Sequence, residues 1–253
     1  MTTLSMYKNT SYHLDPVLWA KDCLDFDPDD WQQEALRFTG QKMILNCCRQ
    51  SGKSTTAAAL ALHRAIFFPN SLILLISASQ RQSAELFRIV TTLLEKLPDQ
   101  PRRTEDNRLS IAFENGSRIV SLPSSEQTVR GFSGPDMIIC DEASRISDDL
   151  FYSLRPMLAV SQGKILLLST PFGKRGFFFH EFTGDNDYKK ITITATDCPR
   201  ISEEFIKSEM DVIGKWWVEQ EYFCQFKQEV TSLFTYEQVH NALDYTIEPM
   251  EVN

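Results

Sequence analysis

The feature that most constrains this chain is a junction at residues 43–69. An apolar run, Met43-Ile44-Leu45-Asn46-Cys47, breaks into Cys48-Arg49-Gln50-Ser51-Gly52-Lys53-Ser54-Thr55 and then into an alanine-rich stretch stopped by Pro69. The first run reads as a buried strand. Lys53 to Phe68 reads as a helix, because alanine has the highest helix propensity and proline cannot continue the pattern. Strand, loop with Gly-Lys-Ser, helix is the context in which backbone amides and a helix N-terminus cradle phosphate, a P-loop. The usual first glycine is replaced by Cys47, so the loop is a relaxed form. Its candidate binding residues are Arg49, Gln50, Ser51, Gly52, Lys53, Ser54 and Thr55. Gly52 allows close backbone approach, Lys53 meets the β- and γ-phosphates, and the Ser54 hydroxyl is a ligand for Mg²⁺.

A second junction agrees with the first. Met137-Ile138-Ile139-Cys140 is apolar and ends in Asp141-Glu142. In parallel sheets the functional edge lies at the carboxyl ends of the strands, where these two carboxylates would emerge near the loop. Asp141 is expected to hold Mg²⁺, and Glu142 to orient and polarise an attacking water. ATP with Mg²⁺ is the ligand this pair of junctions predicts, and ATP hydrolysis the reaction.

Elsewhere, apolar Ile, Leu and Val runs alternate with helical patterns and show no internal repeat, which predicts an α/β fold with a mostly parallel central sheet flanked by helices. Strands are expected at Met43–Cys47, Leu72–Ser77, Leu109–Phe113, Arg118–Leu122, Met137–Asp141, Ile165–Ser169 and Lys190–Thr194. Gln80–Leu97 carries apolar residues at helical spacing. Asn115-Gly116 marks a hairpin turn, and the polar, proline-bearing stretch Pro98–Arg108 reads as an exposed connection. Glu203–Phe226 is helical and aromatic, with Trp216, Trp217 and Phe226 expected in the core of a small subdomain. This divides the chain into a P-loop core at 1–196, a helical lid or linker at 197–245 and a tail at 246–253.

Hydrophobic residues make up 42% of the chain and charged residues 24%, which is ample for a core. A net charge of −8 argues against constitutive, tight duplex binding by the isolated chain, since phosphate contacts dominate that affinity. A local basic patch, or one built by assembly, stays open. The six cysteines form no C-x-x-C pair and mostly sit in apolar runs, where thiols pack as small hydrophobes. The N-terminal residues lack a signal-peptide pattern, and the longest apolar run, Leu72–Ile76, is too short to span a bilayer. A soluble cytoplasmic protein with no membrane partner is expected.

The order of motifs resembles the ATPase domain of the large terminase subunit of tailed bacteriophages. That family has an arginine-glutamine pair in its P-loop, here Arg49-Gln50. Phe26-Asp27-Pro28-Asp29-Asp30-Trp31-Gln32 resembles its adenine-binding segment, so Trp31 and Gln32 are implied to read the base. Ile76-Ser77-Ala78-Ser79-Gln80 is similar to its helicase-like second strand. Val129-Arg130-Gly131 matches an arginine-glycine pair before the acidic strand. Leu168-Ser169-Thr170-Pro171 resembles its coupling motif, with Thr170 near the γ-phosphate, and the segment around Tyr222 is similar to its lid.

The resemblance covers about residues 20–240 and implies a RecA/helicase-like fold of the ASCE type. It implies a motor that drives double-stranded DNA through a portal protein into a procapsid, in the host cytoplasm. The subunits would form a ring, each a monomer in isolation, and work with a small terminase subunit. Arg130 would be an arginine finger supplied to a neighbour, with Arg49 competing for that role in cis. Large terminases usually continue into a metal-dependent nuclease. This chain ends at about where that domain would begin, so no cleavage activity is expected of it.

Two other functions share parts of the pattern. A two-domain helicase has similar motifs, but only about eighty residues follow Pro171, too few for a second α/β domain. A non-hydrolysing, ATP-gated assembly module would not need the full Asp141–Glu142 pair.

Overall fold

The computed structural model describes residues 3–123, 129, 131–228, 238 and 241–242. At its centre is a sheet ordered β3-β4-β5-β2-β6-β7-β1-β8. The strands are β1 (Lys42–Cys47), β2 (Leu72–Ser77), β3 (Arg103–Asn107), β4 (Ser110–Phe113), β5 (Arg118–Pro123), β6 (Met137–Asp141), β7 (Lys164–Ser169) and β8 (Lys189–Ile193). From β5 across to β8 every pairing is parallel. Only β4 runs antiparallel to its neighbours, β3 and β5. The helices are α1 (Thr3–Leu14), α2 (Pro16–Leu24), α3 (Asp30–Leu36), α4 (Lys53–Phe67), α5 (Gln80–Glu95), α6 (Asp148–Leu154), α7 (Leu158–Ser161), α8 (Gly176–Thr183), α9 (Glu203–Ile213) and α10 (Lys215–Glu221). No helix among the described residues is long and apolar enough to cross a membrane.

Both faces of the sheet are covered, which explains why its strands read as unbroken apolar runs. One face turns Leu45, Leu75, Ile139 and Leu168 toward the alanine ridge of α4 and the leucines of α5. The other turns Ile44, Leu74, Ile138 and Leu167 toward Phe151 of α6 and Phe177 and Phe178 of α8. Phe151 and Phe177 stack with centroids 4.0 Å apart and planes 6° from parallel.

All seven expected strands are present, with ends within one residue of expectation. Three features differ. Pro98–Arg108, expected as a connection, contains β3, an edge strand whose residues are mostly solvated; with no buried face it carries no apolar alternation. The segment expected as helical over Glu203–Phe226 forms two helices parted at Gly214, whose φ of 82° and ψ of 159° are not helical, and its helix ends at Glu221 rather than Phe226. Helices α1 and α2, which no motif announced, precede the P-loop. Asp15 caps α2 by accepting from the Val17 amide at 3.0 Å, and Pro16 opens it.

The aromatic residues after Asp197 also sort differently from expectation. Ala195, Ile206, Val218 and Tyr222 form a small cluster of their own. Trp217 is 46% exposed rather than core. Phe226 leaves this cluster and packs against Phe178, Phe179 and Phe182 of α8. The tail at 246–253 lies outside the described residues.

Truncating the centre of the second face should be costly. Phe151→Ala is expected to lower the unfolding free energy by about 3–5 kcal/mol, because the void cannot collapse between two rigid elements. Urea denaturation of the variant against the parent chain measures it.

Candidate active site

β7 lies between β1 and β6, and the registers pair Asn46 with Ser169 and Asp141 with Leu168. The carboxyl ends of three strands therefore open at one level of the sheet. Beyond Cys47 the chain turns through Gln50 at φ 58° and Gly52 at φ 93° into α4. The positive φ requires glycine at position 52, and a Cβ there would sit 2.7 Å from Gln32 Nε2 and displace that side chain.

The loop is gripped from outside as well. The Cys48 amide donates to the Ile193 carbonyl at 2.8 Å, and the Arg49 amide to the Glu221 carbonyl at 3.0 Å. Arg200 Nη2 donates to the Ser51 carbonyl at 3.0 Å. The same guanidinium forms a forked pair with Asp29, at 3.0 and 2.6 Å, which is a geometry only arginine offers.

Facing the loop are the two carboxylates. Glu142 holds a left-handed backbone conformation, φ 52° and ψ 43°, which costs a non-glycine residue about 1–3 kcal/mol. That conformation directs Glu142 Oε1 to within 3.0 Å of Lys53 Nζ. Ser54 Oγ donates to Asp141 Oδ2 at 3.1 Å. Burial pushes the Asp141 carboxyl up to about 6; Lys53 and Ser54 oppose the rise and Glu142 adds to it. Burial pulls the Lys53 ammonium down, but the carboxylates of Glu142 and Asp141 outweigh it and leave it raised. A half-buried hydroxyl beside a buried carboxylate is a hard-oxygen donor pair of the kind Mg²⁺ takes. Among the described residues, the buried hydroxyls of Ser51 in the loop and Ser77 at the end of β2 have no hydrogen-bond partner, as expected of a cradle built for a polar ligand.

The end of β7 is tied to the segment after Glu142. Ser144 donates its amide to Ser169 Oγ at 3.1 Å, and its hydroxyl donates to the Thr170 carbonyl at 2.8 Å. A polar cleft of about 280 Å³ opens here, lined by Arg49, Gln82, Glu142, Arg145, Thr170, Pro171 and Glu221.

The residues singled out from sequence are thus placed as follows. Lys53, Ser54, Asp141 and Glu142 converge, and Gly52, Ser51 and Gln50 shape the loop. Thr55 continues the first turn of α4, and Thr170 is buried at the end of β7. Gln32 is buried beside Gly52, its Oε1 accepting from the Asp29 amide at 2.8 Å. Trp31 is buried in the cluster that also holds Cys47, Cys48 and the alanines of α4. Arg49 is exposed, 3.7 Å from Glu221. Arg130 lies outside the described residues. Arg200, Glu221, Ser144 and Arg145 carry no motif, and only the tertiary fold brings them to the loop. Five cysteines, among them Cys47 and Cys48, are buried, and burial lifts the Cys47 and Cys140 thiols to about 12, leaving them unreactive.

The family of N-terminal regions of terminase large subunits, T4-like virus type, matches residues 44–240. The chain belongs to that terminase family. The probable terminase large subunit of Enterobacteria phage P7 is 22% identical over 219 residues, 77% of this chain and 44% of that protein. This terminase chain therefore spans less than half the length of that curated relative. Its fold is that of the large terminase ATPase domain of Thermus phage P74-26, with a TM-score of 0.67 at 20% identity over 81% of this chain and 96% of that one. The large terminase of a thermophilic bacteriophage in complex with ATP-γ-S has the same fold, at a TM-score of 0.62 and 12% identity over 78% of this chain and 52% of that one.

The raised value of Asp141 has a measurable consequence for this terminase chain. A carboxyl whose folded value lies above its unfolded one favours folding fully at low pH. That contribution is lost as pH rises through about 6. Asp141→Asn is expected to raise the unfolding free energy at about pH 7.5 and to change it little near about pH 4, measured by urea titration at both.

Proposed function

We propose that this chain binds ATP and Mg²⁺ at the P-loop and hydrolyses ATP, and that hydrolysis moves double-stranded DNA through a portal protein into a procapsid. The observation that carries the proposal is the convergence of Lys53 and Ser54 on Glu142 and Asp141, at 3.0 and 3.1 Å. Family membership supports it, as do the shared fold with the P74-26 ATPase domain and the ATP-γ-S held by the thermophilic phage terminase.

The residues divide the work. Amides of the loop and the first turn of α4 face the phosphates, and the helix dipole favours their charge. Ser54 and Asp141 would hold Mg²⁺, which supplies charge neutralisation on the phosphates. Lys53 pairs with Glu142 at 3.0 Å. A phosphate at Lys53 would share its ammonium and leave Glu142 to orient and polarise water. Gln32, held against Gly52 and fixed by the Asp29–Arg200 pair, is the adenine-side candidate. Arg49 is the candidate arginine in cis and Arg130 the candidate finger in trans. An arginine finger is worth about 10³–10⁵ in rate.

A ring of identical subunits, with the small terminase subunit as partner, would couple these sites in the host cytoplasm. A helicase-like ATPase is the second reading, through the glutamine segment at Gln32, the Asp141–Glu142 strand end and the Ser169–Thr170 motif; strand displacement without translocation would favour it. A non-hydrolysing assembly module is the third, and phosphate release from an oligomeric preparation decides against it.

Lys53→Ala should abolish ATP binding in equilibrium titration. Glu142→Gln should retain binding while turnover falls by about 10²–10⁴-fold, the range for removing a general base; undiminished phosphate release would strip Glu142 of that role. Portal and procapsid should stimulate the parent ATPase strongly. Mixing Arg130→Ala with Glu142→Gln subunits should restore activity only if the arginine acts across subunits.

A further inference from the structure

One cation at the cleft has no task in the chemistry above. Arg145 ends the turn Ala143–Arg145 directly after Glu142, and its amide donates to the Glu142 carbonyl at 2.9 Å. The side chain is exposed and lines the same cleft as Glu142 and Thr170. Its guanidinium lies over the ring of Phe172, 4.1 Å from the centroid.

The cleft's other lining cation, Arg49, lies beside Glu221, and Lys53 of the phosphate loop pairs with Glu142. Arg145 has no carboxylate partner among the described residues, so its charge is not neutralised in a site built for a polyanion. Phe172 stands two residues beyond Thr170, on the segment that leaves β7. Ser144, next to Arg145, already holds Ser169 and Thr170. One side chain therefore touches both the phosphate side of the cleft and the start of the strand-end segment.

We propose that Arg145 contacts the terminal phosphate of the nucleotide within its own subunit, and that its stack on Phe172 passes the presence of that phosphate to the Thr170–Gly176 segment. This rests on the ATPase function above. A charge-assisted hydrogen bond to phosphate outranks an exposed cation–π contact, so a triphosphate draws the guanidinium off or across the Phe172 ring. A diphosphate, lacking the group, leaves it stacked. Arg145 is set apart from Arg49, which lies beside Glu221, by its stack on the segment after β7.

The test uses the full chain and compares ATP-γ-S with ADP, each with Mg²⁺. In the parent, ATP-γ-S but not ADP should change hydrogen exchange across Thr170–Gly176. Arg145→Ala should lose about tenfold in ATP-γ-S affinity while ADP affinity holds, the loss of one charged hydrogen bond. Arg145→Lys should recover part of that affinity. Phe172→Leu should keep both affinities and lose the exchange response. Equal weakening toward both nucleotides, or no change in either, for a folded Arg145→Ala protein overturns the proposal and leaves the ATPase function standing. Failure of the parent to bind ATP-γ-S overturns both.

Discussion

Three parallel strands, β1, β7 and β6, bonded side by side in register, decide where the chemistry of this protein can lie. Because their carboxyl ends stop at one level, the loop after Cys47 and the Asp141–Glu142 pair lie two strand spacings apart, with the Ser169–Thr170 strand end between them. Neither the loop nor the carboxylates would have meaning apart from this alignment. The apolar side chains that hold it in place, Leu45, Ile139 and Leu167 among them, never touch the site.

The electrostatics follow from burial at that edge. Asp141 is buried far enough to resist ionisation, and Glu142 is bent into a costly backbone conformation to meet Lys53. The site therefore combines a left-handed backbone at Glu142 with an ion pair between its own groups. A protein selected for stability alone would have no reason to keep this arrangement.

A less obvious layer is the grip on the loop from the segments around α9 and α10. Arg200 ahead of α9 bonds the Ser51 carbonyl and Asp29, and the carbonyl of Glu221 at the end of α10 accepts from the Arg49 amide. Further on, the Cys224 carbonyl accepts from the Asn46 side chain at 2.9 Å. A small helical unit is thus bonded to the phosphate loop at both of its ends. The position of that unit and the shape of the loop are therefore tied to one another through these bonds.

Much of this was legible in the amino-acid sequence. The parallel sheet announced itself because strands buried on both faces must be apolar throughout, and the loop and carboxylates did so because phosphate and metal chemistry admit few residue types at fixed spacing. Edge strand β3 stayed hidden, having no buried face to pattern it, and Gly214 splits a helix that apolar spacing alone would continue. The burial of Trp31, the reach of Arg200 to the loop and the stack of Arg145 on Phe172 belong to the tertiary structure alone. Each depends on residues far apart in the chain meeting in space, and spacing along the chain holds no record of such a meeting.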